Sequence, residues 1–473
     1  MATTLDNAGV PAGIDRNRLF WLSCISLIVT AMTFAIRAGI LTQLSDEFTL
    51  TDTQLGWVNG MAFLGFPLAM VVFGFLYNKL GPRLIMILAF AGHLLGLVLT
   101  IYAGGFLSLL ISTFFIGFAN GSVEAACNPL VADLYKDDKT KWLNRFHVWF
   151  PGGIVIGAVV SYLMTNAGIG WKPQIAIMLV PTAIYGFMVF TTKFPDIPAV
   201  EKRVDMDAKG IFLISAIFGL LVLIGTPNNI VSALPGTFVL PLLLALALTF
   251  ALMLFRTGRK RDALLVLVLM GIMSLTATSE LGTQQWVDRI LGAQLGGVSG
   301  APMIILGMVT GIMAVGRFFA GPLIHALNPL GVLLMSAILT TLGLFLMSTA
   351  SGAMVYVSAI IFALGVCYFW PTMIGVTAQY IPRSGALGMS LVGAAGMFAL
   401  TIWNPIIGGW IDSARKTAEA SGATGVAVDV AAGQGALSKL VLFPVILIGL
   451  FLILYLMRKI ITSDTGETEV SHG

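Results

Sequence analysis

Apolar runs long enough to cross a bilayer recur along the whole chain, at about 19–43, 55–77, 84–104, 106–134, 143–166 and 174–192, then at 210–225 and 237–255, and again at 263–285, 301–324, 329–349, 354–380, 385–409 and 437–457. A hydrocarbon core about 30 Å thick takes roughly 20 residues of helix to cross, so this repetition constrains the fold more than any single motif. The runs are continuous rather than alternating, and a membrane-barrel strand needs only about ten residues. The expectation is therefore an all-α polytopic membrane protein with about 14 transmembrane helices. Composition agrees: a soluble chain carries roughly a quarter charged residues, whereas only 48 of these 473 are Asp, Glu, Lys or Arg. That excludes a soluble enzyme, a nucleic-acid binder and a disordered scaffold. The 53 Gly residues suit helices that approach closely in lipid. A net charge of +4 is too small to imply a polyanionic partner.

The first run is too long for a cleaved signal and no small-residue cleavage site ends it, so it reads as a retained helix. If the N-terminus is cytoplasmic, 20 of the 26 Lys and Arg fall on the inside and five (Lys172, Arg289, Arg415, Lys416, Lys439) outside, with Arg37 inside the first run. So strong a bias orients the chain with both termini in the cytoplasm of a bacterial inner-membrane type. The cluster Arg256–Arg261 falls inside only if both 210–225 and 237–255 cross. The chain then divides into a cytoplasmic tail (1–18), six helices (19–192), a linker with two additional helices (193–262), six more helices (263–457) and a second tail (458–473). The stretch at about 410–436, Ala/Gly-rich, reads as an outside spacer.

The two sets of six carry traces of duplication. Gly74–Arg83 (GFLYNKLGPR) and Gly321–Leu330 (GPLIHALNPL) follow the second run of each set, with Gly74/Gly321, Leu76/Leu323, Leu80/Leu327 and Pro82/Pro329 matching at equal offsets. Parallel six-helix repeats describe a large class of transporters. The first of these segments resembles the G-x-x-x-D-R-x-G-R-R loop of the major facilitator superfamily, with Asn78 for the usual Asp and Lys79 for the usual Arg. The resemblance implies a gating loop that includes Gly74, Asn78 and Arg83 and latches the two halves.

Polar groups inside a span are expensive unless they face protein or a wet cavity, so each is a functional candidate. Asn120, Glu124 and Asn128 share one face of the fourth run at i, i+4, i+8. A lone carboxylate there, neutralised by a proton or held by a cation, suits a proton carrier. Arg37 needs a carboxylate partner or an anionic substrate; Glu124 or Glu280 could supply the first, a uronic or aldonic acid the second. His147 lies beside Pro151–Gly152–Gly153 and could bind a hydroxyl or relay a proton. Thr276, Glu280 and Gln284 share a face at i, i+4, i+8, followed by Gln285 and Trp286. Paired amides beside an indole are the chemistry of a sugar site. Asn59, Tyr368, Trp370, Trp403 and Asn404 could line the same cavity. Arg317 is read as a Glu partner near the cytoplasmic end. The cysteines Cys24, Cys127 and Cys367 have no CxxC or Cys/His spacing, so no disulfide, metal or cofactor is expected. No phosphate loop supports an ATP-driven pump.

Glu124-Ala-Ala-Cys-Asn128-Pro129 resembles the E-[TA]-A-x-N-P motif of the fucose–proton symporter family, Gly316-Arg317-Phe318 its G-R-F, and Phe48–Gly56 (FTLTDTQLG) its first loop. The resemblance implies proton-coupled sugar symport with Glu124 in proton coupling and sugar binding, Glu280 and Trp286 in the sugar site, and His147 where the family has a sugar-contacting Gln. The family's first-helix Asp falls at Ala38. An organic-anion carrier using Arg37 and His147 is the alternative, and a non-transporting sensor or lipid-handling protein a second. The partners expected are a small solute, a proton or other coupling cation and membrane lipid, with the protein a monomer and no nucleic acid involved.

Overall fold

The computed structural model describes residues 13–135, 142, 145–195, 239–295 and 301–462. Among the described residues, twelve helices are long and apolar enough to cross a membrane. The first six are α1 (Arg16–Gly39), α2 (Asp52–Phe73), α3 (Leu80–Ile101), α4 (Phe106–Val131), α5 (Arg145–Asn166) and α6 (Trp171–Thr191). A further 19-residue helix, α7 (Val239–Thr257), is the 237–255 run. The 210–225 run lies outside the described residues. The second six are α8 (Lys260–Gln285), α9 (Ala301–Phe318), α10 (Ala326–Thr349), α11 (Ala353–Thr377), α12 (Gly388–Ala420) and α13 (Val426–Leu456).

Burial sorts these helices into inner and outer. The apolar windows of α1, α2 and α12 are 83%, 78% and 78% buried, against 39% for α3, α6 and α13. The outer helices turn Leu84, Leu88, Leu95 and Leu99, or Val180, Ile184 and Phe187, outward. In a bilayer those side chains face acyl chains at no cost, so hydrophobicity all round is what a span requires. The inner helices carry the buried polar residues Thr33, Arg37, Asn59, Thr401 and Asn404.

Short connections make successive helices run in opposite directions, and polar contacts bind their ends. Arg18 donates to Thr191 Oγ1 at 2.7 Å on the face where α1 begins, termed here the basic face. Trp171 Nε1 donates to Glu47, and Lys172 lies 3.4 Å from the same carboxylate, on the opposite face. The duplication inferred from sequence has a backbone counterpart. Gly81, before Pro82, has φ 75° and ψ 157°, and Asn328, before Pro329, has φ 55° and ψ 164°. Proline pushes the preceding residue out of the helical region. The positive φ costs glycine nothing; asparagine bears it better than most residues, and Asn328 Oδ1 accepts from the Gly331 amide at 3.1 Å. Both sets of six thus break their second and third helices apart with the same kink.

One expectation is corrected. The 410–436 stretch is not a spacer: α12 runs on as helix to Ala420, and Val426–Leu440 is helical again. At 1.5 Å per residue a helix of 36 residues, Gly385–Ala420, is longer than the hydrocarbon core is thick, and its end is fastened by Arg415 to Asp429.

Candidate functional site

Polar residues of the two six-helix sets meet at three levels along the axis. The outermost is a seal on the opposite face. Thr51-Asp-Thr-Gln54 forms a capping box at the start of α2, Thr51 Oγ1 accepting from the Gln54 amide at 3.2 Å and Gln54 Oε1 from the Thr51 amide at 3.0 Å. This places Asp52 in the first turn, where a helix N-terminus favours negative charge. Asp52 receives Arg289 at 2.7 Å and Arg415 at 3.5 Å from the second set. Asp412 of α12 accepts from the amides of Asp52 and Thr53, at 3.2 and 3.0 Å, and from Thr53 Oγ1 at 2.6 Å. It satisfies in trans two amides that a helix start leaves open. Thr42 donates to Asp288 Oδ2 at 2.6 Å. Under these bridges the backbones of α2 and α12 touch. A Cβ on Gly56 would lie 2.5 Å from Asn404 O, and one on Gly408 2.2 Å from Asp52 O.

The middle level centres on Arg37, which is 5% exposed. Its Nε donates to Asn59 Oδ1 and its Nη2 to Gln285 Oε1, each at 2.9 Å. Its guanidinium carbon lies 5.2 Å from the Phe34 ring centre and 5.8 Å from that of Phe63. Neither carboxylate named from sequence is its partner, and the geometry gives the reason. Asn120 Nδ2 donates to Thr33 Oγ1 at 3.0 Å, which sets those two residues level. α1 and α4 run antiparallel, so Arg37 lies one turn from that point towards the opposite face and Glu124 one turn towards the basic face. Four residues each way at 1.5 Å per residue separate them by about 12 Å along the axis. Phe34, Phe63 and Phe66 cluster with Leu281, Met397 and Leu400 of the second set, Phe150 and Trp370 packing against them.

The innermost level faces the basic side. Glu124 Oε2 accepts from Asn128 Nδ2 at 2.6 Å, and Asn128 Oδ1 meets His147 Nε2 at 2.9 Å. Asn128 acts as donor to the carboxylate, so its oxygen accepts from the imidazole, making His147 the Nε2–H tautomer at this contact. His147 Nε2 also stands 4.0 Å from Glu124, with the imidazole side chain 37% exposed and the carboxylate side chain 10%. Arg317 Nη2 reaches Glu280 Oε1 at 3.2 Å, and its Nε donates to Cys367 O at 2.8 Å.

Several expected site residues are directed elsewhere. Asn120 is engaged within the first set, its Oδ1 with His93 Nε2 at 2.8 Å, while His93 Nδ1 meets Tyr185 OH at 2.8 Å. Thr278–Gly282 is a π-helical turn, and Glu280 and Gln284 both turn to α9, where Glu280 meets Arg317, one helical turn from Met313. Gln284 turns to Met313 Sδ at 3.5 Å beside Thr283, Leu306 and Phe362, and Gln285 reaches Arg37. Trp286 Nε1 donates to Asn404 Oδ1 at 3.0 Å, tying α8 to α12. Tyr368 donates to Gly316 O at 3.2 Å, and Trp403 packs on Phe443. Gly74 lies on the helical continuation of α2, and Arg83 reaches Phe190 O of α6 at 3.5 Å, within its own set rather than across to the second. The Asn78 side chain lies outside the described residues. Sequence reasoning missed His93 and Tyr185, and it missed Asp52 and Asp412. A signal for the seal was present: of the five basic residues that break the charge bias, Arg289 and Arg415 are the ones that fasten Asp52.

Two sets of six helices meeting along a polar seam define a polytopic carrier fold. The chain belongs to the Major Facilitator Superfamily, whose family model matches residues 23–314; it is a membrane transporter rather than an enzyme. It is 30% identical over 159 residues to a probable nitrate/nitrite antiporter of Thermus thermophilus, covering 34% of this chain and 35% of the relative. It is 23% identical over 172 residues to a D-xylose transporter of Levilactobacillus brevis, covering 36% and 38%. The matches thus span well under half the length of these curated relatives. Among solved structures, a D-xylose–proton symporter superposes with a TM-score of 0.65 at 13% identity, covering 90% of this chain and 97% of that one. A nucleoside transporter gives 0.66 at 12% identity, covering 93% and 99%. Likeness at such identity speaks for the fold alone.

Proposed function

We propose that the protein is a proton-coupled secondary carrier that moves a sugar or sugar derivative by alternating access, as a monomer in an inner membrane with both termini in the cytoplasm. Residues 19–192 and 263–457 are the two moving halves and 193–262 the linker between them. The observation that carries this reading is the Glu124–Asn128–His147 cluster. A carboxylate 8% exposed inside a span, held by one neutral amide and next to a half-exposed imidazole, is placed where an ionisable group is a candidate for proton carriage. It stands on the basic side of the aromatic layer while the polar seal closes the other side. Protonation of Glu124 weakens its hold on Asn128 and His147 and frees both to bind solute hydroxyls. The sequence resemblance to the fucose–proton symporter family, centred on Glu124–Pro129, supports the same assignment, as does the match to a D-xylose transporter.

The test is uptake of labelled L-fucose, D-xylose and D-glucuronate into proteoliposomes under an imposed pH gradient. Glu124→Gln is expected to abolish gradient-driven accumulation while leaving solute counterflow at a measurable fraction of wild type. Gradient-driven accumulation by that variant at the normal rate would sink the assignment. A second reading, a carrier of organic anions, is favoured by the uncompensated charge of Arg37.

A further inference from the structure

We infer that Arg37 and Asn59 form the receptor for an acidic group on the transported solute, and that in the sealed state Gln285 stands in for that group. The inference rests on the carrier reading and names the class of its solute: a small organic carboxylate or comparable oxyanion.

Three observations carry it. First, a guanidinium stays charged in a protein interior, and burying it without a counter-charge is costly. Among the described residues no carboxylate lies within 4 Å of Arg37, whereas Arg317, of the same chemistry, has Glu280 at 3.2 Å. The Arg37 partners are two neutral amide oxygens and two phenyl faces. Second, the hydrogen bond to Arg37 fixes the Asn59 amide with its oxygen towards the guanidinium. Its Nδ2 is then buried with no acceptor, in a residue 0% exposed. Buried polar atoms of this kind are rare and call for an explanation. An anion beside Arg37 supplies both the missing charge and the missing acceptor. Third, the two amide oxygens come from different halves: Asn59 is on α2 with Arg37's own set, Gln285 on α8 of the other. Separating the halves at the seal takes Gln285 away and leaves an Arg37 donor open towards the opposite face. A carboxylate oxygen takes the vacated place with the stronger, charge-assisted bond. On closing, Gln285 competes for the same donor and pushes the anion inward.

Neutral displacement explains why an amide and not a carboxylate is built at position 285. An internal Glu would hold Arg37 so firmly that no solute anion could replace it.

The experiment is a thermal-shift titration of the purified full-length protein with D-glucuronate, D-gluconate, nicotinate and nitrate, each paired with a neutral counterpart where one exists (D-glucose, nicotinamide). A ligand that binds the folded state raises its apparent stability in proportion to the logarithm of its concentration over Kd. At least one anion is expected to stabilise the wild type, and its neutral counterpart is not. Arg37→Gln, which keeps an N–H donor for folding, should weaken that anion on the order of 100-fold, and Arg37→Lys about tenfold, the charge surviving without the fork. Gln285→Glu should raise the melting temperature of the ligand-free protein and abolish its response to the anion. Stabilisation by neutral solutes only, by no anion at all, or by an anion acting equally on Arg37→Gln overturns the inference. If neutral sugars bind and are carried by Arg37→Gln, the carrier reading stands and only the anion receptor falls. If no solute moves in proteoliposomes under any gradient, the carrier reading itself has failed.

Discussion

Arg37 and Arg317 both lie inside the protein, and the fold treats them in opposite ways. Arg317 is matched by Glu280 within its own half and anchored to Cys367 O, so its charge is cancelled whichever side of the protein is open. Among the described residues Arg37 is matched by nothing of opposite charge, and it holds a residue from each half. The difference separates a charge that belongs to the architecture from one whose partner arrives and leaves. An ion pair kept within one rigid body does not sense the relative position of two halves. A hydrogen bond between bodies does, and its energy is part of the conformational equilibrium.

The sharpest way to break this contrast is to make Arg317 resemble Arg37. Glu280→Gln leaves a buried guanidinium with only neutral partners, and removing one member of a buried pair costs about 3–5 kcal/mol. Gln285→Leu beside Arg37 removes one neutral acceptor from a guanidinium that still has Asn59 and two rings, at about 1–3 kcal/mol. Unfolding of the two variants in the same detergent should therefore rank Glu280→Gln well below Gln285→Leu. Equal destabilisation would mean that Arg317 is no better compensated than Arg37, and the distinction between them would go.

How much of this was legible in the sequence depends on what kind of physics a residue obeys. The spans were legible because the bilayer imposes one requirement on every helix, about 20 apolar residues. The Pro82/Pro329 match was legible as a trace of duplication, and the local effect of proline makes it the same kink in both sets. Pairings were not, since they depend on axial height and rotation, which no spacing rule carries through a break in the helix. Glu280 and Gln284 both face α9, yet one meets the charge of Arg317 and the other the thioether of Met313, which spacing along α8 does not tell apart. Asn120 and Glu124 differ by one turn, and that turn puts one into a closed network with His93 and Tyr185 and the other beside a half-exposed imidazole. Asp52 and Asp412 read as ordinary surface carboxylates because their partners lie about 240 to 360 residues away in the chain.

The seal at the opposite face offers a middle case between the two arginines. Asp52 is 2% exposed, but Arg289 and Arg415 retain 18% and 27% of their side-chain exposure. Losing the carboxylate therefore leaves Arg289 without its ion pair and Arg415 with Asp429 alone, both cations still able to reach water. Asp52→Asn should weaken closure by roughly 2 kcal/mol, a shift of about 30-fold in the closed-to-open ratio at 1.4 kcal/mol per tenfold. A cysteine placed at Thr401, which lies beneath Gly60 in the α2–α12 contact, reports that shift. With the three native cysteines buried, a membrane-impermeant maleimide should label Thr401→Cys many times faster when Asp52→Asn is added. An unchanged rate would show that backbone contact at Gly56 and Gly408 holds the seal without the charges.

The smallest effect concerns Asp288, which stands beside Arg289 at the rim yet receives its hydrogen bond from Thr42. Burial is the dominant influence and holds the Asp288 carboxyl above the ordinary aspartate range, against the Thr42 hydroxyl and the charge of Arg289, which lower it. The folded protein then keeps this proton at pH values where the unfolded chain has lost it. Stability from this group is complete below the ordinary aspartate pKa of about 3.9 and declines as pH rises through the higher folded value. Asp288→Asn keeps an amide oxygen to accept from Thr42 and removes the proton from the balance. The difference in melting temperature between variant and wild type should accordingly widen in the variant's favour as pH rises above the ordinary aspartate range, by a few degrees at most. A difference that stays flat with pH would mean that Arg289 compensates Asp288 fully. The rim would then contain a second matched pair of the Arg317 kind, and Asp52 would not be the sole carboxylate holding Arg289 in the closed state.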